Sequence, residues 1–224
     1  MDDSKTFKYS RGTIVIPFMA VFSIWLVFWV EMKFGLNFTR YGILPQYLSG
    51  LKGVLFSPFI HSSTSHLINN SIPLAVLLWS LFFFYRELAF KTLAFGFLLT
   101  GLLTWSFARE SYHIGASGVV YMLFSFVFFS GLIRKHYRLV ALSLAVVFLY
   151  GGMIWYVFPI KTGMSWEGHL SGFIVGLVLA IMYRRKGPQK KEFVFTQTKF
   201  DLMFDENGNY NPEVLVDEES EEKL

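Results

Sequence analysis

The sequence predicts an all-α membrane protein, a bundle of six transmembrane helices, and three observations carry that prediction. The 224 residues are 54% apolar and only 16% charged, where a soluble domain carries about 25% charged residues. The few charges also sit at the ends: the 172 residues from Gly12 to Tyr183 hold ten Lys/Arg and four Asp/Glu, too few to solvate a globular surface. Finally, that stretch contains apolar runs close to the roughly 20 residues that cross a bilayer as helix. Barrel strands would be about ten residues long with alternating polarity, and these runs do not alternate.

Taken in order, the expected spans are 13–30, 67–85, 92–108, 114–133, 139–160 and 168–183. The first follows a basic stretch but is long and lacks a small-x-small cleavage site, so it reads as retained rather than as a signal peptide. Residues 31–65 form a long, aromatic, glycine-containing outer loop, and a loop of that length usually has its own structure or a task. With residues 1–11 placed inside, the inner segments carry thirteen Lys/Arg and the outer loops five. That bias puts both termini in the cytoplasm. Residues 186–224 read as a charged cytoplasmic tail, ending in Asp217-Glu218-Glu219-Ser220-Glu221-Glu222 and expected to be disordered. The net charge of +4 flanks apolar runs and does not argue for nucleic acid. With no cysteine in the chain, disulfides, thiol catalysis and Cys-ligated metals are excluded.

Polar groups inside spans are expensive, and each is a functional candidate. His66 and Asn70 open the second span, Ser117 the fourth and His169 the sixth. Even-numbered spans all start at the outer side, so topology brings these residues to one depth. His66 and Asn70, like Ser117 and Tyr121, are four apart and share a helix face. Gly172 and Gly176 continue the face of His169 as a stripe of small residues that lets another helix approach closely, while Gly115 and Gly118 keep bulk away from Ser117. A serine hydroxyl becomes nucleophilic when a neighbouring base takes its proton, and a neutral histidine does that at ordinary pH. Asn70, His66 and the Ser117 backbone N–H are suitable donors for an oxyanion. No acidic residue lies in the spans near His169, and Glu167 sits at the loop edge, so a Ser–His dyad is expected. His113 and His136 read as solvated loop residues. The two close histidines 61 and 66 lack a third ligand at helical spacing, so no metal site is expected.

Three stretches resemble the rhomboid family of intramembrane serine proteases: His61-Ser-Ser-Thr-Ser-His66-Leu-Ile-Asn-Asn70, Gly115-Ala-Ser117-Gly118-Val-Val-Tyr121 and Gly168-His169-Leu-Ser-Gly172-Phe-Ile-Val-Gly176. Each opens the corresponding span of a six-span core, and the likeness covers roughly Gly12 to Tyr183. It implies hydrolysis of peptide bonds in or near transmembrane segments of membrane-protein substrates, without metal or cofactor. Ser117 would be the nucleophile, His169 the base, His66 and Asn70 oxyanion donors, and Tyr121 a support for His169. His61 would be a hydrogen-bonding residue behind them. The loop 161–167, with Met164 and Trp166, resembles the cap over such sites. Ser57 stands where some bacterial members have another histidine, and no Trp-Arg pair is found in the first loop. The lack of a transit-like N-terminus and of an extra span leads to the expectation of a bacterial cytoplasmic membrane, and the charge-derived topology puts the site near its outer face. Two other functions fit a multi-span chain: a catalytically silent relative that binds membrane clients, and a small transporter. The first requires loss of serine or histidine, and the second predicts polar groups at mid-membrane and paired repeats. Oligomeric state and natural substrate are not legible.

Overall fold

Seven α-helices make up the described part of the computed structural model, which covers residues 7, 9–190, 198, 200–205 and 207–210. They are α1 (Arg11–Phe34), α2 (Gly53–Phe56), α3 (Thr64–Phe84), α4 (Arg86–Phe107), α5 (Ser117–Arg134), α6 (Tyr137–Tyr150) and α7 (Trp166–Met182). Among these residues there is no strand, and extended pairing is limited to isolated antiparallel bridges at Ile43–His113 and Phe204–Tyr210. Five segments are long and apolar enough to cross a membrane: α1, α3, α4, α5, and α6 with the turn that follows it. The sixth, α7, has 17 residues, about 26 Å of helix at 1.5 Å per residue, at the lower limit of a span.

Central to the bundle is α5, which packs most extensively on α7, then on α6, α3 and α4, while α1 lies outside against α3. Large apolar side chains such as Phe18, Phe22, Trp29, Phe90, Phe148 and Val178 are exposed. An exposed apolar surface that covers helix after helix belongs in hydrocarbon rather than water.

Helix boundaries depart from the hydropathy-based spans where local chemistry overrides apolar content. The second span starts at Thr64, three residues early, because Ser63 caps it by accepting the His66 N–H at 3.2 Å. The third starts at Arg86 rather than 92: Arg86, Glu87 and Lys91 are charged, yet they are good helix formers. The fourth starts at Ser117 rather than 114 because Gly115 has φ +107°, a conformation closed to most L-residues. The expected fifth span, 139–160, is helical only to Tyr150. Gly151-Gly152, poor helix formers, convert the chain to a 3-10 helix, Gly151–Val157. Finally, α7 begins at Trp166, so Trp166 and Glu167 belong to a helix rather than to a cap loop.

The outer loop has structure of its own, with 3-10 turns at Thr39–Tyr41, Leu48–Gly50 and Ser57–Phe59 around α2. Residues 191–224 form a separate unit. Its described part contains the 3-10 turn Asp201–Met203 and a turn in which Asp205 accepts from the Asn207 and Asn209 N–H groups. The disorder expected of the acidic end, 217–222, falls outside the described residues.

Candidate active site

Ser117 is the first residue of α5, and His169 lies in the first turn of α7. The two helices approach so closely that a Cβ on Gly172 would lie 2.1 Å from the Gly118 carbonyl oxygen, and one on Gly176 would lie 2.3 Å from that of Met122. Any larger residue would push the helices apart. At this spacing His169 Nε2 is 3.0 Å from Ser117 Oγ. The other ring nitrogen, Nδ1, is 2.9 Å from the Tyr156 carbonyl oxygen. A carbonyl only accepts, so Nδ1 carries the hydrogen and Nε2 presents its lone pair to the serine hydroxyl, which donates.

Tyr121 stacks on the imidazole, with ring centroids 4.2 Å apart and planes 9° from parallel. Its hydroxyl donates to the Met153 carbonyl at 2.7 Å. Met153 and Tyr156 are three residues apart, one turn of 3-10 helix, so a single face of the segment 151–157 offers one carbonyl to each ring. The glycine pair that ends α6 thus creates the support for both side chains.

Across from this pair, His66 and Asn70 flank the α-carbon of Gly115: a Cβ there would lie 2.7 Å from His66 Nε2 and 3.5 Å from Asn70 Nδ2. The space is open only because the residue is glycine. Asn70 Nδ2 is buried and has no hydrogen-bond partner among the described residues. An orphaned buried donor costs about 1–3 kcal/mol, so this amide is open to a further partner, a water or a bound group. His66 Nδ1 lies 3.3 Å from Ser62 Oγ. A hydroxyl both donates and accepts; in the tautomer in which it donates, Nε2 carries a hydrogen on the Gly115 side.

His61 sits behind this group, its Nε2 accepting the Ala116 N–H at 3.5 Å while Nδ1 donates to the Phe59 carbonyl at 3.4 Å. Burial, reinforced by the nearby His66, pushes the His61 pKa down to about 4. The ring is therefore neutral at physiological pH, as an acceptor must be. A cavity of about 30 Å³ borders Ser117, with Ser57, Thr100, Thr104 and Ser165 among the apolar Ile43, Val54, Phe97 and Val119 in its wall. It has room for a water molecule, and Thr100 Oγ1 is buried without a partner among the described residues.

A model of the rhomboid domain matches residues 49–186, which is more than half of the chain. The chain belongs to the rhomboid family. The matched range holds every helix of the bundle except α1. An uncharacterized protein of Mycobacterium bovis is 34% identical over 190 residues, covering 80% of this chain and 77% of that one. A Mycobacterium tuberculosis relative, also uncharacterized, has the same identity and coverage. An uncharacterized protein of Mycobacterium leprae is 30% identical over 191 residues, covering 80% of this chain and 73% of its own. With rhomboid membership and its run of apolar helices, the chain is an integral membrane protein of an intramembrane protease family.

Other residues of this rhomboid protein depart from the expectation or were not foreseen. His113 and His136 are not solvated: each is 4% exposed. The loop carrying His113 folds inward through its bridge to Ile43, and His136 stacks on Tyr137 at 5.0 Å. Burial lowers the His113 pKa. Glu167 is buried and paired to Arg109 at 3.2 Å rather than to His169. Met164 meets the same arginine through its carbonyl, whereas Trp166 is half-buried at the start of α7. The carbonyls of Met153 and Tyr156 had no signature of their own; Gly151-Gly152, which breaks the fifth apolar run, was the only available signal.

Proposed function

We propose that this chain is an intramembrane serine endopeptidase that hydrolyses peptide bonds in or near the transmembrane segments of other membrane proteins. The observation that carries the reading is the 3.0 Å contact of His169 Nε2 with Ser117 Oγ, with the tautomer set by the Tyr156 carbonyl. In this scheme Ser117 Oγ attacks the scissile carbonyl carbon as its proton passes to His169 Nε2. The carbonyl oxygen becomes an oxyanion, which the unpartnered Asn70 amide, His66 Nε2–H and the Ser117 backbone N–H stabilise. The last is free to do so because the first N–H groups of a helix have no intrahelical partner. The imidazolium then protonates the leaving amine, the C–N bond breaks, and an acyl-Ser117 ester remains. Water, activated by the same nitrogen, attacks the ester and releases the carboxylic acid and free Ser117.

Tyr121 keeps the imidazole plane fixed through both proton transfers. The cavity beside Ser117, whose largely apolar wall carries several hydroxyl groups, offers a place for water next to the ester. The basic bias of the loops and the mycobacterial relatives support a bacterial cytoplasmic membrane, with the site toward its outer face. The test is a panel of tagged single-span proteins incubated with wild type and Ser117→Ala, in parallel with a fluorophosphonate probe. Wild type should cleave at least one member and label, and Ser117→Ala should do neither. A wild type that stays unlabelled, or labelling that survives Ser117→Ala, would overturn the proposal.

A further inference from the structure

Ser117 and His169 each follow a loop, 108–116 and 158–165, and two side-chain links join those loops. Arg109 donates from Nη2 to the Met164 carbonyl and places Nη1 3.2 Å from Glu167 Oε1. Its backbone N–H points to the same oxygen at 3.4 Å. His113 forms the second link. Its Nε2 lies 3.0 Å from the Arg109 carbonyl, so Nε2–H donates and Nδ1 accepts the Ser165 hydroxyl, at 2.6 Å.

Two features separate this arrangement from ordinary loop packing. Ser165 occupies the N-cap position of α7, where serine normally accepts from the first turn, yet it makes no side-chain cap; its hydroxyl goes to His113 instead. Glu167 has a side chain only 3% exposed. A buried carboxylate needs a partner, and this one takes its partner from the loop that leads to Ser117. The glycine stripe of α7 sets how near α5 and α7 lie, and deeper in the seam Ser125 donates to the Phe173 carbonyl at 2.6 Å, but neither holds the outer ends of the two helices, where Ser117 and His169 sit. The cross-links act where their alignment matters, within eight residues of the serine and five of the histidine.

We infer that Arg109, His113, Ser165 and Glu167 form a bracket that sets the alignment of Ser117 with His169, which makes them positioning residues for the reaction proposed above, on which this inference rests. The bracket also ties down the loop 158–165. Through the backbone pairing of His113 with Ile43, at 2.9 and 3.0 Å, it joins the long outer loop as well.

The test uses the full-length protein in detergent with Glu167→Gln, which keeps shape and removes charge, and Ser165→Ala, which removes one hydroxyl. Arg109→Lys keeps the charge but loses the two-pronged reach. A displacement of about 1 Å can cost roughly 100-fold in rate. A fraction of that should lower kcat about tenfold in Glu167→Gln and Ser165→Ala, with KM within about twofold and fluorophosphonate labelling of Ser117 slowed in parallel. Arg109→Lys should fall between these variants and wild type. Independently of turnover, trypsin should cut after the exposed Lys161 several-fold faster in Glu167→Gln, with the fragment identified by mass. Unchanged kcat in Glu167→Gln and Ser165→Ala, with Ser117→Ala inactive, would overturn the bracket and spare the protease reading. So would a kcat loss that tracks thermal stability while Lys161 stays as protected as in wild type. A wild type that neither labels nor cleaves would overturn both.

Discussion

Gly172→Ala is a sharp test of the idea that helix spacing controls the site. The added Cβ would sit 2.1 Å from the Gly118 carbonyl oxygen and 3.0 Å from the Met122 backbone nitrogen. Both are main-chain atoms, so no side chain can swing aside. Restoring even a 3.0 Å contact requires α7 to move about 0.9 Å away from α5. His169 lies one helical turn from Gly172 and Ser117 lies beside Gly118, so most of that displacement reaches the reacting atoms. The Ser117–His169 contact, 3.0 Å in wild type, would open to as much as about 3.9 Å, beyond hydrogen-bond range. Misplacement on this scale costs roughly 100-fold in rate, while overpacking costs about 1–3 kcal/mol of stability, which leaves a folded but poorly active protein. The assay is kcat for a tagged single-span substrate, with the fluorophosphonate labelling rate and thermal unfolding in detergent measured on the same sample. Gly12→Ala is the control, since its Cβ meets nothing nearer than 3.7 Å, and it should match wild type. A Gly172→Ala protein that labels and cleaves at the wild-type rate would refute the reasoning.

Asn70→Ala should lower kcat by roughly 100- to 1000-fold, the usual loss for one oxyanion donor, with little change in KM; a rise in KM at constant kcat would assign Asn70 to substrate binding instead. Because that amide has no partner to lose, Asn70→Ala should not reduce thermal stability, and a clear drop in melting temperature would count against its being held in reserve. The cysteine-free chain permits a direct test of orientation: in intact cells a membrane-impermeant maleimide should label Lys161→Cys at once and Arg185→Cys only after permeabilisation. The reverse order would invert the proposed topology.

Composition was enough to make the helical membrane bundle legible, because spacing between apolar runs survives even when helix ends are misplaced by several residues. His66, Asn70 and His169 were legible for a related reason: an ionisable or amide side chain at the head of an apolar run has few excuses; Ser117 was legible through the Gly115-Ala-Ser117-Gly118 motif instead. The ends of the spans were not legible, since hydropathy ignores what ends a helix. Gly115 blocks the start at 114 with its backbone conformation, and Gly151-Gly152 ends α6 ten residues before the apolar run does. The burial of His113 and of Glu167 was not legible, because sequence gives no sign that two loops fold onto each other: Glu167 meets Arg109, 58 residues away.

That no acidic side chain bonds His169 among the described residues takes on a physical meaning beside the Tyr156 carbonyl. A carboxylate there would orient the ring and stabilise the imidazolium, but it would bring a full charge into a site walled by lipid-facing helices, where desolvation is costly. A main-chain carbonyl fixes the same tautomer and ring plane with no net charge, and gives up part of the imidazolium stabilisation in exchange. The stacked Tyr121 ring takes over some of the orienting role, and it is anchored by the Met153 carbonyl one turn earlier in the same 3-10 segment. The carbonyl that holds the histidine and the carbonyl that anchors its stacked tyrosine are therefore both backbone groups of residues 151–157. It follows that side-chain substitutions at Met153 and Tyr156 should be tolerated, whereas a proline at Val157, which disturbs the backbone next to the Tyr156 carbonyl, should not.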